Sequence, residues 1–279
     1  MKKIRIVSLI LLFALFFTGI KEVTAASYVN VHFLNVGQGD AVLVQTPNEN
    51  ILIDGGGKGK GPQIVSYLKK NKVTTLSAVV STHPDADHVG GLAYVIKTVK
   101  VNKVYAPNIS HTTSAYKDFL LAVKSKNMKI TVAKLGVEIP TQAKDITLKF
   151  LGPVRVYGKS DLNNWSGVLH LKHNKKSFLF MGDAENAAES DLLAKKLISK
   201  VDVLKVGHHG SKYSTSAKFL EKTVPTYSVL SVGKNGYGHP TSDVLNRLKK
   251  VRSNVHRTDK SGNIVFSSNG IKITPRMVR

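Results

Sequence analysis

The sequence contains no cysteine. That excludes a disulfide framework, a thiolate metal site and a lipid-modified cysteine; any bound metal must be held by His, carboxylate, Asn or water. Acidic residues are scarce: 18 Asp and Glu stand against 41 Lys and Arg, a formal net charge of +23. The imbalance points to a polyanionic partner or surface such as nucleic acid, teichoic acid or anionic lipid. The lysines are scattered rather than gathered into one basic run, so the general basicity of a secreted protein is the competing explanation. No repeat, linker or shift of composition divides the 279 residues, and 42% hydrophobic content suffices for a core. One domain built from two similar αβ halves is expected.

A run of the ~18 apolar residues that a membrane span needs is also lacking at the N-terminus. Ile6 to Ile20 gives fifteen, after Lys2, Lys3 and Arg5 and ahead of Val23-Thr24-Ala25. A positive start, a short apolar stretch and a small-residue cleavage site read as a secretory signal over residues 1–25, ahead of a domain over residues 26–279. The product would be secreted; an uncleaved anchor is the alternative. No membrane channel region follows, so the chain would not itself transport DNA. Two further chemistries lack their signatures. Gly55 to Gly61 (GGGKGKG) has no Lys-Ser/Thr ending of the phosphate-loop kind. Ser211 is not flanked as a nucleophile elbow, which argues against a serine hydrolase.

What the chain does carry is Thr82-His83-Pro84-Asp85-Ala86-Asp87-His88-Val89-Gly90-Gly91, with four potential metal ligands in six residues. A strand-like run, Leu76 to Ser81, enters it and a helix-like run, Val89 to Val99, leaves it. Two carboxylates and two imidazoles so close need a cation or solvent to compensate them. A solvated polar loop is the plain alternative.

Other elements follow from pattern. Alternation predicts a strand over Tyr28 to Val36, and short strands over Ala41 to Thr46 and Asn50 to Asp54 make an antiparallel edge. Pro62 to Asn71 reads as a helix with Pro at its start. Strands over Val101 to Ala106 and Met128 to Ala133 flank a helix over Ser114 to Asn127, a β-α-β order that implies parallel pairing. Trp165 to Lys172 and Ser177 to Met181 read as a hairpin, and Asp183 as the N-cap of a helix to about Leu197. Strands over Asp202 to Val206 and Tyr227 to Val232 alternate with helices over Thr215 to Lys222 and Ser242 to Val251. Asn254 to Arg257, Asn263 to Ser267 and Ile271 to Pro275 close the chain.

Each candidate site residue sits just past a strand: His83, Asp85, Asp87 and His88 past one, then Asp183, then His208 and His209, then His239. In open α/β sheets, sites gather at the carboxyl ends of strands, so these clusters can converge. Asp183, alone in its turn, suits a bridging carboxylate. Imidazole nitrogen and carboxylate oxygen are compatible with Zn²⁺ or Mn²⁺. His32 within its strand reads as structural, as do His111, His170, His173 and His256. Asp40 and Asp54 either position the ligand loop or form turns.

His83-x-Asp85-x-Asp87-His88 resembles the His-x-His-x-Asp-His signature of the metallo-β-lactamase superfamily. Val31 to Asp40, Leu52 to Gly56, Ser81 to His88, Asn163 to Ser166, Met181 to Asp183, Leu204 to Ser211 and Tyr237 to Pro240 together resemble the C-terminal hydrolase domain of ComEC-type competence proteins, from about Tyr28 onward. The resemblance implies an α/β (α+β) fold, an αββα sandwich. It implies two divalent ions, one on His83 and Asp85 and one on Asp87 and His88, with Asp183 bridging. Asp85 stands where most of the superfamily has His, and Asn164 offers no further histidine, so the first metal position is the weaker. His239 is favoured as the last ligand because it ends the later strand, with His208 or His209 as alternatives. Asn35 and Gly167 stand where these relatives usually carry Asp and Leu. Asp87, His208 and Glu185 are the expected catalytic groups; His209, Ser211 and Asn164 are expected to contact substrate.

The activity so implied is metal-assisted hydrolysis of a phosphodiester, with DNA as the favoured substrate. A lactone, a β-lactam or a phosphocholine ester of the cell wall are other substrates, and capture of DNA without cutting is the non-enzymatic alternative.

Overall fold

The computed structural model describes residues 27–278. The secretory signal expected over residues 1–25 lies outside the described residues. Among those described, no helix is long and apolar enough to cross a membrane.

Two sheets face each other. The first has eight strands in the order Ile273–Val278, Asn263–Ser268, Val29–Phe33, Val42–Gln45, Asn50–Ile53, Ala78–Val80, Val104–Ala106 and Ile130–Val132. The second has seven, in the order Asn254–Arg257, Tyr227–Leu230, Val203–Lys205, Lys176–Phe180, Leu169–His173, Ile146–Phe150 and Glu138–Ile139. Each sheet joins an antiparallel meander to a parallel run. In the first, pairing turns parallel between Asn50–Ile53 and Ala78–Val80; in the second, between Lys176–Phe180 and Val203–Lys205. The expected pair of similar halves is therefore present. The last two strands, however, return to the first sheet, where Asn263–Ser268 pairs with Val29–Phe33.

Period-two patterning sets which side chains meet between the sheets. Val29, Val31 and Phe33 point inward with Val42, Val44, Ile51, Ile53 and Val80; Phe150, Leu169, Leu171, Phe178 and Phe180 meet them from the other sheet. Each contributes about 2 kcal/mol through buried apolar area. The outer face of the first sheet is covered by helices Gly61–Lys70, Leu92–Thr98 and Ser114–Ser125. That of the second is covered by Asn186–Ala194, Ala217–Thr223 and Ser242–Lys250. Helix, sheet, sheet, helix is the αββα sandwich, in a single domain.

Two helices depart from expectation. The run over Val89 to Val99 is broken into Ala86–Val89 and Leu92–Thr98. Gly90 and Gly91 lie between them, and a Cβ on Gly91 would collide with the carbonyl of Gly55. The Gly-Gly pair thus lets the ligand-bearing turn lie directly on the Gly55–Gly57 loop, where Gly55 N–H donates to His88 O (2.7 Å). The helix expected from Asp183 begins only at Asn186. Asp183 does not cap it. Asn164, from the 3-10 turn Leu162–Trp165, accepts instead from Glu185 N and Ala188 N (both 3.0 Å), which leaves the Asp183 carboxylate free to face elsewhere.

Candidate metal centre

The parallel strands of both sheets deliver their carboxyl ends to one edge of the sandwich. Ala78–Val80 leads to His83, Asp85, Asp87 and His88; Lys176–Phe180 to Asp183; Val203–Lys205 to His208 and His209. Asn50–Ile53 leads to Asp54, and the Gly37–Asp40 turn packs beneath. Gly39 has φ +126° and lies against the backbone of Asp87, where a Cβ would strike the carbonyl. That contact seats Asp40 under the site, with Asp40 N–H donating to Asp87 O (3.2 Å).

The imidazoles are oriented by acceptors. His88 Nδ1 lies 2.9 Å from Asp54 Oδ2, and Asp54 is itself fixed by Thr82 N–H (2.8 Å) and Thr82 Oγ1–H (2.7 Å). His209 Nδ1 lies 2.8 Å from the Ser231 carbonyl. A carbonyl and a carboxylate can only accept, so both Nδ1 atoms carry hydrogen and Nε2 is the nitrogen that each ring turns toward the centre. Those two Nε2 atoms face each other at 3.2 Å. His88 Nε2 is also 3.2 Å from Asp183 Oδ1; His209 Nε2 is 3.3 Å from Asp183 Oδ2 and 3.2 Å from Asp87 Oδ2. His83 Nε2 is 3.5 Å from Asp85 Oδ2. Both His83 Nε2 and Asp183 Oδ1 are buried without a hydrogen-bond partner.

Converging lone pairs and carboxylates at these distances repel unless a cation lies among them. Two overlapping donor sets meet the spacing of a metal site, His83 with His88 and Asp183, and Asp87 with His88 and His209, and a third joins His88 to Asp40 and Asp54. Each set keeps its ligand atoms within 4.8 Å of one another. The residues therefore fit divalent metal. The surrounding acids create a demand for positive charge, which a proton or a metal ion can meet: burial would lower the pKa of His88, but Asp183, Asp54 and Asp87 reverse this and hold it well above the ordinary imidazole value. His209 is raised in the same way against burial, chiefly by Asp183. Burial would raise Asp183; His209 and His88 instead hold it well below the carboxylate range.

Several expected positions change place. His239 is in none of these donor sets. Among the described residues it has no carboxylate within ion-pair distance, and its ring packs edge-on against His208 at 5.2 Å. His209 lies among the acids instead, because Val203–Lys205 adjoins the strand that delivers Asp183, whereas His239 follows Tyr227–Leu230, one strand further out. His209 is 1% exposed and lies among the donors, not at a substrate surface. Asn164 spends its amide on the helix start and on Asp161 Oδ1 (2.7 Å), and Ser211 is buried with its hydroxyl accepting from Tyr213 N–H (3.4 Å). His208 does reach the mouth of the site: its Nδ1 is 2.8 Å from Glu185 Oε1 and its Nε2 3.7 Å from Asp183 Oδ2. Both His208 (φ 45°) and His209 (φ 52°) hold left-handed backbone, at a cost of about 1–2 kcal/mol each that the surrounding packing must offset.

Lys205 escaped the sequence reading. It is 1% exposed, its Nζ pairs with Asp40 Oδ2 and donates to Gly182 O (3.0 Å), and it lies 3.8 Å from Asp183 Oδ1. Burial raises the Asp40 pKa, but Lys205 and then His209 and His88 outweigh it and hold Asp40 low. A lysine between Leu204 and Val206 in an otherwise apolar strand was the available signal. The same holds for Asp54, whose place at a strand end left turn formation equally open.

The profile of the metallo-beta-lactamase superfamily matches residues 34–234. The chain is 31% identical over 255 residues to ComE operon protein 3 of Bacillus subtilis, covering 85% of this chain and 32% of that protein. It is 30% identical over 240 residues to Recombination protein 2 of Haemophilus influenzae, covering 84% and 28%, and 32% identical over 262 residues to Competence protein ComA of Neisseria gonorrhoeae, covering 92% and 35%. The chain thus spans about a third of the length of the curated relatives it matches. Among solved structures, the metallo-beta-lactamase fold protein YhfI of Bacillus subtilis is similar at TM-score 0.55 and 13% identity, covering 86% of this chain and all (100%) of that one. Igni18, a metallo hydrolase of Ignicoccus hospitalis, is similar at TM-score 0.55 and 16% identity, covering 85% and 98%. At such identities these two speak to the fold alone.

Proposed function

Because this chain belongs to the metallo-beta-lactamase superfamily and is related to competence proteins, we propose that it is a metal-dependent phosphodiesterase that cuts DNA outside the cytoplasm. The observation that carries this is the convergence of two imidazole nitrogens, His88 Nε2 and His209 Nε2, 3.2 Å apart and faced by Asp87 and Asp183. In this reading His83, Asp85 and Asp183 hold one ion and Asp87, His88, His209 and Asp183 the other, with Zn²⁺ or Mn²⁺ the candidates from donor chemistry. Bound ions would supply Lewis acidity toward a phosphoryl oxygen and lower the pKa of water. The chain's own groups do the rest. Asp54 and the Ser231 carbonyl keep His88 and His209 in the tautomer that presents Nε2. Asp87, the more exposed of these carboxylates, fronts the opening. His208 keeps its Nδ1 proton on Glu185 Oε1, which Asn163 Nδ2–H also reaches at 3.1 Å, so its Nε2 lone pair is placed to take a proton from the attacking water and hand it to the leaving oxygen. A net charge of +23 draws a polyanion toward the cleft. The leader expected over residues 1–25 would supply the secreted setting.

The protein lacking residues 1–25 is incubated with plasmid DNA and Mn²⁺ or Zn²⁺, beside Asp87→Ala and Asp183→Asn. Cutting by the unsubstituted protein alone is the expected result. Salt-sensitive DNA binding without cutting would replace the nuclease by a binding module. Hydrolysis of a lactone, a β-lactam or a phosphocholine ester, with DNA left intact, would move the substrate to that class.

A further inference from the structure

At the mouth of the centre, aromatic rings lead outward from His208. His239 packs on His208 with centroids 5.2 Å apart, and Tyr237 packs on His239 at 5.7 Å with planes inclined by 30°. Tyr237 is 75% exposed, so it turns a wide apolar ring to solvent one side chain away from the catalytic imidazole. Its loop is not slack. Asn235 accepts through Oδ1 from the N–H groups of Tyr237 and His239 (3.1 Å each) and donates through Nδ2 to the carbonyls of Gly233 and His239 (2.8 Å each). All four hydrogen bonds of that amide go to holding the loop.

A second exposed ring, Tyr213 (56%), follows the His208–His209 turn, with Lys212 Nζ over it at 5.1 Å. The two loops are tied together. Thr241 donates to Gly210 O through N–H (3.0 Å) and Oγ1–H (3.1 Å), and Arg247 Nη2 donates to the carbonyls of Lys212 (3.3 Å) and Ser214 (2.9 Å). Two loops joined by hydrogen bonds thus each expose a tyrosine ring, one of them with a lysine over it.

We infer that Tyr237 is a base-stacking platform, and that the strand brought to the centre is single-stranded nucleic acid. This rests on the reading of the site as acting on nucleic acid. An unpaired base offers its π-face to an exposed ring, whereas a duplex buries those faces against neighbouring base pairs. A cell-wall polyphosphodiester matches the basic groups but has no face to stack. Rings held in place before binding lose little freedom when a base docks, and stacking tolerates any base.

Three fluorescent probes of equal length test this by anisotropy on the metal-loaded protein, with phosphorothioate linkages throughout to slow cutting: a single strand, its duplex, and a strand of abasic sites with the same linkages. The expected result is that the single strand binds on the order of tenfold tighter than either other probe. Tyr237→Ala should remove that advantage and leave duplex and abasic binding as they were, and Tyr237→Phe should keep it. Equal binding of all three probes, or a single-strand advantage that survives Tyr237→Ala, would overturn the platform while leaving the nucleic-acid reading intact. Binding of none of the probes would instead remove the nucleic-acid reading, and the platform with it.

Discussion

Two groups of buried histidines in this protein have opposite electrostatics. His32 and His170, set within strands, are each lowered to about 4, first by burial and then by a nearby cation in Arg276 or Lys172. His88 and His209, set in turns past strand ends, are raised well above the ordinary value although burial opposes it. Burial is common to both groups. The difference is the carboxylates: Asp183, Asp54, Asp87 and Asp40 surround the second pair, while His32 has the Tyr67 hydroxyl 2.9 Å from Nδ1. Burial alone makes a histidine neutral and structural; burial among acids makes a site for cations.

Removing the buried ammonium should strain that contrast most. Lys205→Met leaves Asp40 without its cation in a fully buried position. Breaking a buried pair from one side costs about 3–5 kcal/mol. Urea denaturation should show that loss, and Lys205→Met with Asp40→Asn should recover part of it; no loss in the single variant would mean that Asp40 is not held by charge.

Next in size is the exchange of last-ligand candidates. His209→Ala should lower metal affinity, read as metal retained after dialysis, by more than about a hundredfold, beyond the range of supporting partners. His239→Ala should retain metal like the unsubstituted protein. Metal content by mass spectrometry reads both, and the reverse order would restore His239 to the centre.

The smallest effect belongs to the strand-embedded group. The folded-state value for His32, about 4, lies below the ordinary 6.5. As pH falls, the unfolded chain therefore takes up the proton first. The stability from neutral His32 is complete above about pH 6.5 and is lost as pH falls toward 4, on the order of 3 kcal/mol in all. Denaturation midpoints between pH 7.5 and pH 4 should drop more steeply in the unsubstituted protein than in His32→Gln. Equal slopes would show that burial does not hold His32 neutral.

Much of the centre was legible because its ligands are local. His83, Asp85, Asp87 and His88 sit in one turn, and Asp183 follows one strand, so spacing alone marks them. The last imidazole was not legible in the same way. His208, His209 and His239 all follow strands, and choosing among them needs the lateral strand order, which has no local signature. Asn164 was misplaced for a related reason: it caps a helix that begins more than twenty residues later, a partnership no short window contains.

The sequence by itself determined the elements, the two αβ halves and the metal chemistry. Apolar alternation, Gly-Gly turns and acid-imidazole clusters act over a few residues and leave their mark in order. Only the tertiary structure decided that Lys205 is a buried cation and Asp54 an orienting group, that His209 rather than His239 lies among the acids, and that Tyr237 is exposed beside His239. Those roles depend on which strands lie side by side and how the two sheets close, and contacts between residues distant in sequence are set by that packing rather than by any neighbour along the chain.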